Sequence, residues 1–463
     1  PELDPTAAAI PAPDPADPFG SLLEIDPEAA IAGGPPTQPK NLRIDLVSND
    51  WAEFSWAPAN DDGEVVEYRI KRSDGHVYNM LRDQTSTNEG TQAELDKQWA
   101  TTSFIDCNFT RFTNRVYNCE INGPGPGDVF TYEVTAVDEL GNESAPSDPI
   151  TINYHALSNA PVPIYEDRFL DTTGFVQNHD LSNTANFLNE FELVFEDDFD
   201  GTSIDATRWN TELVWGDRVI INNEQQYFVN TQDNSDFGYD PFKIEDSILT
   251  IEAIPTPTAL TSQLPEECDV VNTFHPPCEF LSGALSTHDK FNMTFGYVEA
   301  RMKTSDISGA LSSFYLYHRY PGEGVERHAP EIDIIEYLGE NPFGDEDAFQ
   351  TYHYDDVNTG MTRSSPTMIQ KNPAGTLYSD EFHTYSVLWE PQLMIWYIDG
   401  LEIKRISGPQ SAARAMNIVT YLVAGSGWAP TPDADGQFPL QFQIDYIRAY
   451  QRDSYIGNGL YPQ

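Results

Sequence analysis

Positively charged residues are scarce in this chain of 463 residues. Lys and Arg number 25 against 74 Asp and Glu, which gives a formal net charge of −49 at pH 7. A nucleic-acid-binding protein needs a basic surface, so this balance excludes nucleic acid as a partner. It also argues against a polyanionic substrate, unless the binding cleft departs from the average. Salt screens the self-repulsion of such a surface, which favours solubility in a saline or marine habitat.

Long apolar runs are also absent from the sequence, and no long helical period appears from residue 190 onward. A membrane-spanning helix requires roughly 18–20 consecutive apolar residues, so no membrane span is predicted. Short strand-like segments punctuated by Pro and Gly follow one another from residue 190 onward, which predicts an all-β fold of stacked antiparallel sheets. Since residue 1 is Pro, we expect that any signal peptide has already been removed.

Cysteine is rare and falls into two close pairs, Cys107 with Cys119 and Cys268 with Cys278. Four cysteines allow three connectivities, of which nearest-neighbour pairing is the simplest, and four free thiols are the alternative. Two such disulfides would fit an oxidising, exported setting, so we expect a secreted or cell-surface protein. Neither pair has the short C-x-x-C spacing of a zinc site.

Three carboxylates and three isoleucines occupy the six residues from Glu331 to Glu336. In a strand, Glu331 and Asp333 point to one face, and a β-bulge of one extra residue would return Glu336 to that face. Two glutamates flanking an aspartate are typical of the active site of a retaining glycosidase. In such enzymes the two catalytic carboxyl groups lie roughly 5–5.5 Å apart. The alternative is an amphipathic edge strand with a solvated acidic face.

Further segments, all in order between residues 190 and 452, resemble strands of glycoside hydrolase family 16. Its laminarinases, agarases and carrageenases have a bulged catalytic strand of the form E-x-D-x-x-E. The matching segments are 195–201 followed by Trp209, 223–227, 295–303, 382–389, 396–400 and 445–450. The resemblance implies a curved β-jelly-roll sandwich whose concave face is the substrate cleft.

The resemblance also implies roles for individual residues. Glu331 would be the nucleophile and Glu336 the general acid/base, while Asp333 would hydrogen-bond the nucleophile and keep the pKa values of the two glutamates apart. His353 matches a histidine on the neighbouring strand that contacts Asp333 or the sugar. The alternative for His353 is an ordinary packed strand residue.

Sugar binding uses flat aromatic rings and side-chain amides. Segments that resemble the lining of the family's cleft contain Trp428, in a glycine-rich loop, together with Trp215, Asn223 and Glu224. Trp209, Trp389 and Trp396 are instead predicted to fill the core between the sheets.

No cofactor is expected for catalysis. Many family members carry a structural calcium ion on the convex face, and Asp198 and Asp445 match the positions of its carboxylate ligands. Asp198 replaces the glutamate that is more usual there.

The strand before the catalytic one departs from the laminarinase pattern W-P-x-F-W-L. Residues 309–320 lack the tryptophans, and tyrosines such as Tyr315 stand at or near their places. Arg319 and Arg327 follow, in a chain otherwise poor in positive charge, and could bind sulfate or carboxylate groups of a substrate. Local pairing with Glu323 and Glu326 is the alternative.

The N-terminal third of the sequence does not resemble glycoside hydrolase family 16. Residues 1–37 are a Pro/Ala/Asp-rich linker. Residues 38–155 resemble a fibronectin type III module, a small immunoglobulin-like β-sandwich, through the segments 52–56, 66–70, 130–138 and 141–144. A spacer role is favoured for it over carbohydrate or partner binding. A connector at 156–189, the catalytic domain at 190–453 and a tail at 454–463 complete the predicted organisation.

The sequence thus predicts a secreted, monomeric, retaining endo-glycosidase that hydrolyses a β-linked polysaccharide, with laminarin-type β-1,3-glucan as the first substrate hypothesis. One alternative is the same chemistry on a sulfated algal galactan (agar, porphyran or carrageenan) or an acidic exopolysaccharide. A transglycosylase would share the intermediate. A non-catalytic carbohydrate-binding protein is the alternative from another class.

Overall fold

The structure, a computed structural model, describes fifteen stretches of the chain. They are residues 33–81, 102–107, 123–156, 191–214, 223–265, 268, 277–318, 330–340, 347–355, 362–369, 377–408, 412, 414–433, 436–452 and 455–456. Within them lie 23 β-strands and one short 3-10 helix, Thr261–Gln263. The predicted all-β class is confirmed. No helix among these residues is both long and apolar enough to cross a membrane.

The chain divides into two compact units: the first consists mainly of the residues up to Tyr154, and the second mainly of those from His155 onward. In the N-terminal unit, three strands form an antiparallel sheet in the order β5-β2-β1: β1 (Lys40–Val47), β2 (Trp51–Ala57) and β5 (Ser103–Cys107). A second sheet has the order β4-β3-β6-β7: β3 (Val65–Arg72), β4 (Val77–Leu81), β6 (Val129–Asp138) and β7 (Ile150–Asn153). Trp56 of β2 and Tyr68 of β3 pack together in the hydrophobic core of the N-terminal unit, with ring centroids 5.4 Å apart.

The second unit contains two large sheets. The inner sheet has the strand order β13-β22-β15-β16-β17-β18. Its strands are β13 (Ala284–Ser286), β15 (Ala310–Tyr317), β16 (Glu331–Leu338), β17 (Asp347–Asp355), β18 (Thr362–Ile369) and β22 (Asn417–Ala424). All neighbours in this sheet are antiparallel.

The outer sheet of this unit has the order β21-β20-β19-β14-β23-β11-β12-β9, with β10 on β11 and β8 on β23. Its strands are β8 (Phe191–Asp197), β9 (Gln226–Phe228), β10 (Phe242–Glu245), β11 (Ile248–Pro255), β12 (Phe280–Ser282), β14 (Gly296–Lys303), β19 (His383–Glu390), β20 (Leu393–Ile398), β21 (Leu401–Ser407) and β23 (Leu440–Arg452). Two packed sheets of this kind form the jelly-roll sandwich that the sequence predicts.

Tryptophans fill the apolar interior of this sandwich as predicted. Trp209, Trp389 and Trp396 are fully buried. Each indole N–H nevertheless has an acceptor, because burying this group without a hydrogen bond is costly. Trp209 donates to Asp197 Oδ2 at 2.8 Å, Trp389 to the carbonyl of Ala412 at 2.9 Å and Trp396 to the carbonyl of Asp333 at 2.8 Å.

Of the predicted disulfides, Cys268–Cys278 is present, with the Cα atoms 4.9 Å apart. Cys107 is also disulfide-bonded. Its predicted partner, Cys119, lies outside the described residues.

A buried carboxyl group lies on the outer sheet. Glu299 is completely buried on β14 and accepts a hydrogen bond from the hydroxyl of Tyr297 at 2.9 Å. Burial raises the pKa of Glu299 to about 7, although hydroxyl groups and the nearby Arg448 charge act in the opposite direction. The folded protein therefore binds a proton that the unfolded chain releases at a lower pH.

We expect this group to weaken the fold as the pH rises. Its contribution is fully present below the ordinary pKa of 4.5 and is lost as the pH rises through about 7. In Glu299→Gln the neutral amide cannot ionise, so the variant should gain on the order of 2–3 kcal/mol relative to wild type between pH 5 and pH 8. Urea unfolding at the two pH values measures this change, and an identical pH dependence of both proteins would contradict it.

Candidate active site

The catalytic strand predicted from the sequence, β16, contains the predicted bulge. Against β15, the register passes from Ile335 opposite Phe314 to Asp333 opposite Tyr315, so Ile334 is an extra residue. Against β17, residues 333–335 of β16 span the same length as residues 350–351. One extra residue reverses the alternation of side chains beyond it.

Because of the bulge, three carboxyl groups share one face of the sheet. Glu331 lies opposite Tyr317, Asp333 opposite Tyr315 and Glu336 opposite Ser313, and these three partners are alternate residues of β15. The intervening isoleucines Ile332, Ile334 and Ile335 are fully buried. The structure therefore brings Glu331, Asp333 and Glu336 together as predicted.

The carboxyl groups are crowded enough to oppose one another's ionisation. Burial raises the pKa of Glu331 well above its usual range, and the negative charges of Asp333 and Glu336 raise it further. Burial likewise raises the pKa of Glu336, with further contributions from Asp333 and Glu224. Mutual repulsion of this kind favours a state with one ionised and one protonated carboxyl group.

His353 lies beside this group on β17, directly opposite Glu331. Its Nε2 atom is 3.1 Å from Asp333 Oδ2, and its Nδ1 atom is 2.7 Å from the hydroxyl of Ser364 on β18. One ligand atom each of Glu331, Asp333 and His353 lies within 4.8 Å of the others. Among the described residues, this is the one group of three or more acidic, His or Cys side chains close enough to hold a metal ion.

Glu224 reaches the same site from the segment before β9. It is buried, accepts a 2.8 Å hydrogen bond from Gln226 Nε2, and burial raises its pKa to about 8. The side-chain oxygen of Gln226 accepts a bond from the amide of Ala424 at 3.1 Å, which ties this segment to β22. Asn223 is exposed, with φ of 56°, and the structure shows no contact of its side chain with the carboxyl groups among the described residues.

An aromatic surface covers the same face of the inner sheet. Tyr315 and Tyr421 are in edge-to-face contact, with centroids 5.5 Å apart. The rings of Phe349 and Trp428 also contact each other, with centroids 5.6 Å apart. Trp428 is 41% exposed, in contrast to the three buried tryptophans of the core, so its ring is open to solvent.

Some predicted site residues lie outside the described part of the chain. They are Trp215, Arg319 and Arg327. Their roles stay predictions.

The two residues predicted to bind calcium each contact an arginine in this structure. Asp198 Oδ1 accepts a hydrogen bond from Arg448 at 3.1 Å, and Asp445 Oδ2 accepts one from Arg301 at 2.7 Å. The two carboxylates thus pair with different arginines, whereas calcium takes about six to eight oxygen ligands. Calcium binding there stays a prediction.

Sequence reasoning missed several residues of the site: Ser313, Tyr317, Phe349, Ser364 and Tyr421. Tyr317 could have been found, because it lies two residues after Tyr315 on the same strand and therefore on the same face. Tyr421 and Ser364 could not, since they reach the site only through strand pairing with distant segments.

Comparison with known proteins agrees with this geometry. Residues 223–448 match the family model described as glycosyl hydrolases family 16. The chain is 28% identical over 267 residues to endo-1,3-1,4-beta-glycanase EglC of Rhizobium meliloti, a match that covers 56% of this chain and 52% of that protein. It is 24% identical over 282 residues to glucan endo-1,3-beta-glucosidase A1 of Niallia circulans, covering 56% of this chain and 38% of that protein.

The chain spans about half the length, or less, of these curated relatives. Among solved structures, the laminarinase catalytic domain from Thermotoga maritima is similar, with 23% identity and a TM-score of 0.43, covering 57% of this chain and 98% of that one. The family match encloses the bulged strand, His353 and Trp428. Residues 223–448 of this chain are therefore similar to the glycosyl hydrolases of family 16.

Proposed function

We propose that the chain is a retaining endo-glycosidase that hydrolyses a β-linked polysaccharide, with Glu331 as nucleophile and Glu336 as general acid/base. The observation that carries this proposal is the bulge at Ile334, which places both glutamates on one face with Asp333 between them. A strand that served only structure would gain nothing from three crowded carboxyl groups, whose burial costs free energy.

The reaction needs one ionised and one protonated carboxyl group. In the first step, Glu336 donates its proton to the glycosidic oxygen while the Glu331 carboxylate attacks the anomeric carbon and the leaving chain departs. In the second step, Glu336 removes a proton from water, which attacks the glycosyl ester and releases Glu331. His353, 3.1 Å from Asp333, would orient that aspartate beside the nucleophile.

The first substrate that we propose is a β-1,3-glucan of the laminarin type. The relatives named above are described as enzymes acting on 1,3-1,4-β-glycan and 1,3-β-glucan bonds. The net charge of −49 favours a neutral glycan over a polyanionic one. A sulfated galactan or acidic exopolysaccharide is the second candidate, because the tryptophans of the laminarinase pattern are missing, tyrosines such as Tyr315 stand at or near their places, and Arg319 and Arg327 follow in sequence.

We further propose that the protein acts outside the cell as a monomer and that the N-terminal unit is a fibronectin type III-like spacer. The two disulfide-bonded segments support export. The three- and four-stranded sheets of the N-terminal unit support the fibronectin-like assignment. Trp56 and Tyr68 are buried there, so neither offers a sugar platform.

Incubation with a panel of five glycans tests the proposed reaction and the proposed substrate together. Laminarin, mixed-linkage glucan, agarose, carrageenan and porphyran are incubated with wild type and with Glu331→Gln, and the products are separated by chromatography. We expect oligosaccharides from laminarin with wild type and a fall of at least about 10³-fold in the variant, because the nucleophile is lost.

The matched control is Glu245→Gln, which makes the same chemical change at an exposed position of the outer sheet and should keep full activity. Release from a sulfated galactan alone would move the substrate assignment to the second candidate. Equal activity of wild type and Glu331→Gln would refute the assignment of the nucleophile.

The role of Glu336 is tested by its replacement with Ala. An aryl glycoside with a good leaving group needs little protonation, so we expect Glu336→Ala to keep the first step on it and to lose mainly the second. Azide, which needs no general base, should then restore turnover about tenfold or more and yield a glycosyl azide of retained configuration. Failure of azide to restore turnover would assign the acid/base role to another residue.

Trp428 is expected to bind a sugar ring. Trp428→Ala should raise KM for the polysaccharide by about five- to tenfold with a smaller change in kcat, because the exposed ring offers an apolar platform. Trp428→Phe keeps an aromatic face and should recover most of the loss. An unchanged KM in the alanine variant would remove Trp428 from the binding surface.

A further inference from the structure

The bulge of β16 interrupts the regular ladder of main-chain hydrogen bonds between β16 and β17. Residues 333–335 of β16 face residues 350–351 of β17 across an interrupted register. The carbonyl groups of Asp333 and Ile334 belong to this interrupted stretch. A buried carbonyl group without a partner is costly, so donors from elsewhere are needed to hold the bulge.

Two buried side chains on the side away from the cleft supply these donors. The indole N–H of Trp396 donates to the Asp333 carbonyl at 2.8 Å. The side-chain amide of Gln350 donates to the Ile334 carbonyl at 3.3 Å. Both side chains are completely buried, and Trp396 reaches across from the outer sheet.

Lys404 ties the two donors to each other. Its ammonium group donates to the carbonyl groups of Gln350, at 2.8 Å, and of Ser365 on β18. It also lies 4.8 Å from the centre of the Trp396 ring, a distance at which a cation is attracted to the ring face. Lys404 is completely buried, so this contact is part of the interior and not of the surface.

We propose that Gln350, Trp396 and Lys404 are positioning residues that hold the bulge of β16 in register and thereby aim Glu336 at the cleft. None of the three shares the face of the carboxyl groups. Gln350 alternates with Phe349 and Thr351 on β17, and Trp396 and Lys404 belong to the other sheet. Without the bulge, regular alternation would turn Glu336 toward the interior.

This inference rests on the proposed function for its kinetic consequence but not for its structural one. Loss of a donor should loosen the bulge and let the distance between Glu331 and Glu336 vary. Chemistry is sensitive to such displacement, whereas sugar binding along the aromatic surface is not. A positioning role therefore predicts a fall in kcat with little change in KM.

The chain offers a closely matched control. Trp389 is also completely buried on the outer sheet, and its indole N–H also donates to a main-chain carbonyl, that of Ala412, at 2.9 Å. Trp396→Phe and Trp389→Phe each remove one such hydrogen bond and keep an aromatic ring. Only the first removes a bond to the catalytic strand.

The test compares both variants, in the full chain, by kinetics and by hydrogen exchange. On laminarin, or on the panel glycan that wild type cleaves, Trp396→Phe should lower kcat by about tenfold or more with KM within about twofold, and Trp389→Phe should change kcat by less than about twofold. Amide exchange in the peptide that covers β16 should quicken by about fivefold in Trp396→Phe alone, as expected for one lost buried hydrogen bond.

Gln350→Met, which lacks the donor at a similar volume, should repeat the effect of Trp396→Phe and provides a second variant if that one folds poorly. Equal effects of Trp396→Phe and Trp389→Phe on both readouts would overturn the positioning role. A wild type that cleaves no glycan would count against the proposed function, and the exchange of β16 would still decide whether the donors hold the bulge.

Discussion

The extra residue at Ile334 is the constraint on which the site depends. Side chains of a strand alternate strictly, so a regular β16 could present Glu331 and Asp333 to the cleft but would send Glu336 into the core. The bulge removes that conflict and creates another, because main-chain carbonyl groups in the interrupted register need donors. Trp396 and Gln350 meet this need from the interior.

The packing of the two sheets is therefore linked to the chemistry of one face. Trp396 belongs to the outer sheet and contacts the back of the catalytic strand, while the carboxyl groups occupy its front. A change in how the sheets pack would reach the glutamates through the main chain of β16. In our proposal, the position of Glu336 thus depends on buried residues that lie on the side of β16 away from the carboxyl groups.

Buried acidity is the second theme of the structure. Burial raises the pKa values of Glu331, Glu336, Glu224 and Glu299, and in the first two nearby carboxylates add to the effect. Each such group weakens the fold when it ionises. For Glu331 and Glu336, which we propose as the catalytic pair, the raised pKa values favour a proton on at least one of the two carboxyl groups.

The sequence alone predicted the all-β class, the bulged strand, and three buried tryptophans with one exposed in the second unit, whereas it left the pairing of the cysteines open. These depend on local alternation, short spacings and apolar character, which neighbouring residues carry. Only the tertiary structure showed which distant residues meet at β16, namely Tyr421, Gln350, Trp396 and Lys404. It also showed that Arg448 and Arg301 donate hydrogen bonds to the carboxylates of Asp198 and Asp445. Strand pairing joins segments far apart in the chain, and hydrogen-bond partners follow from that pairing and not from sequence distance.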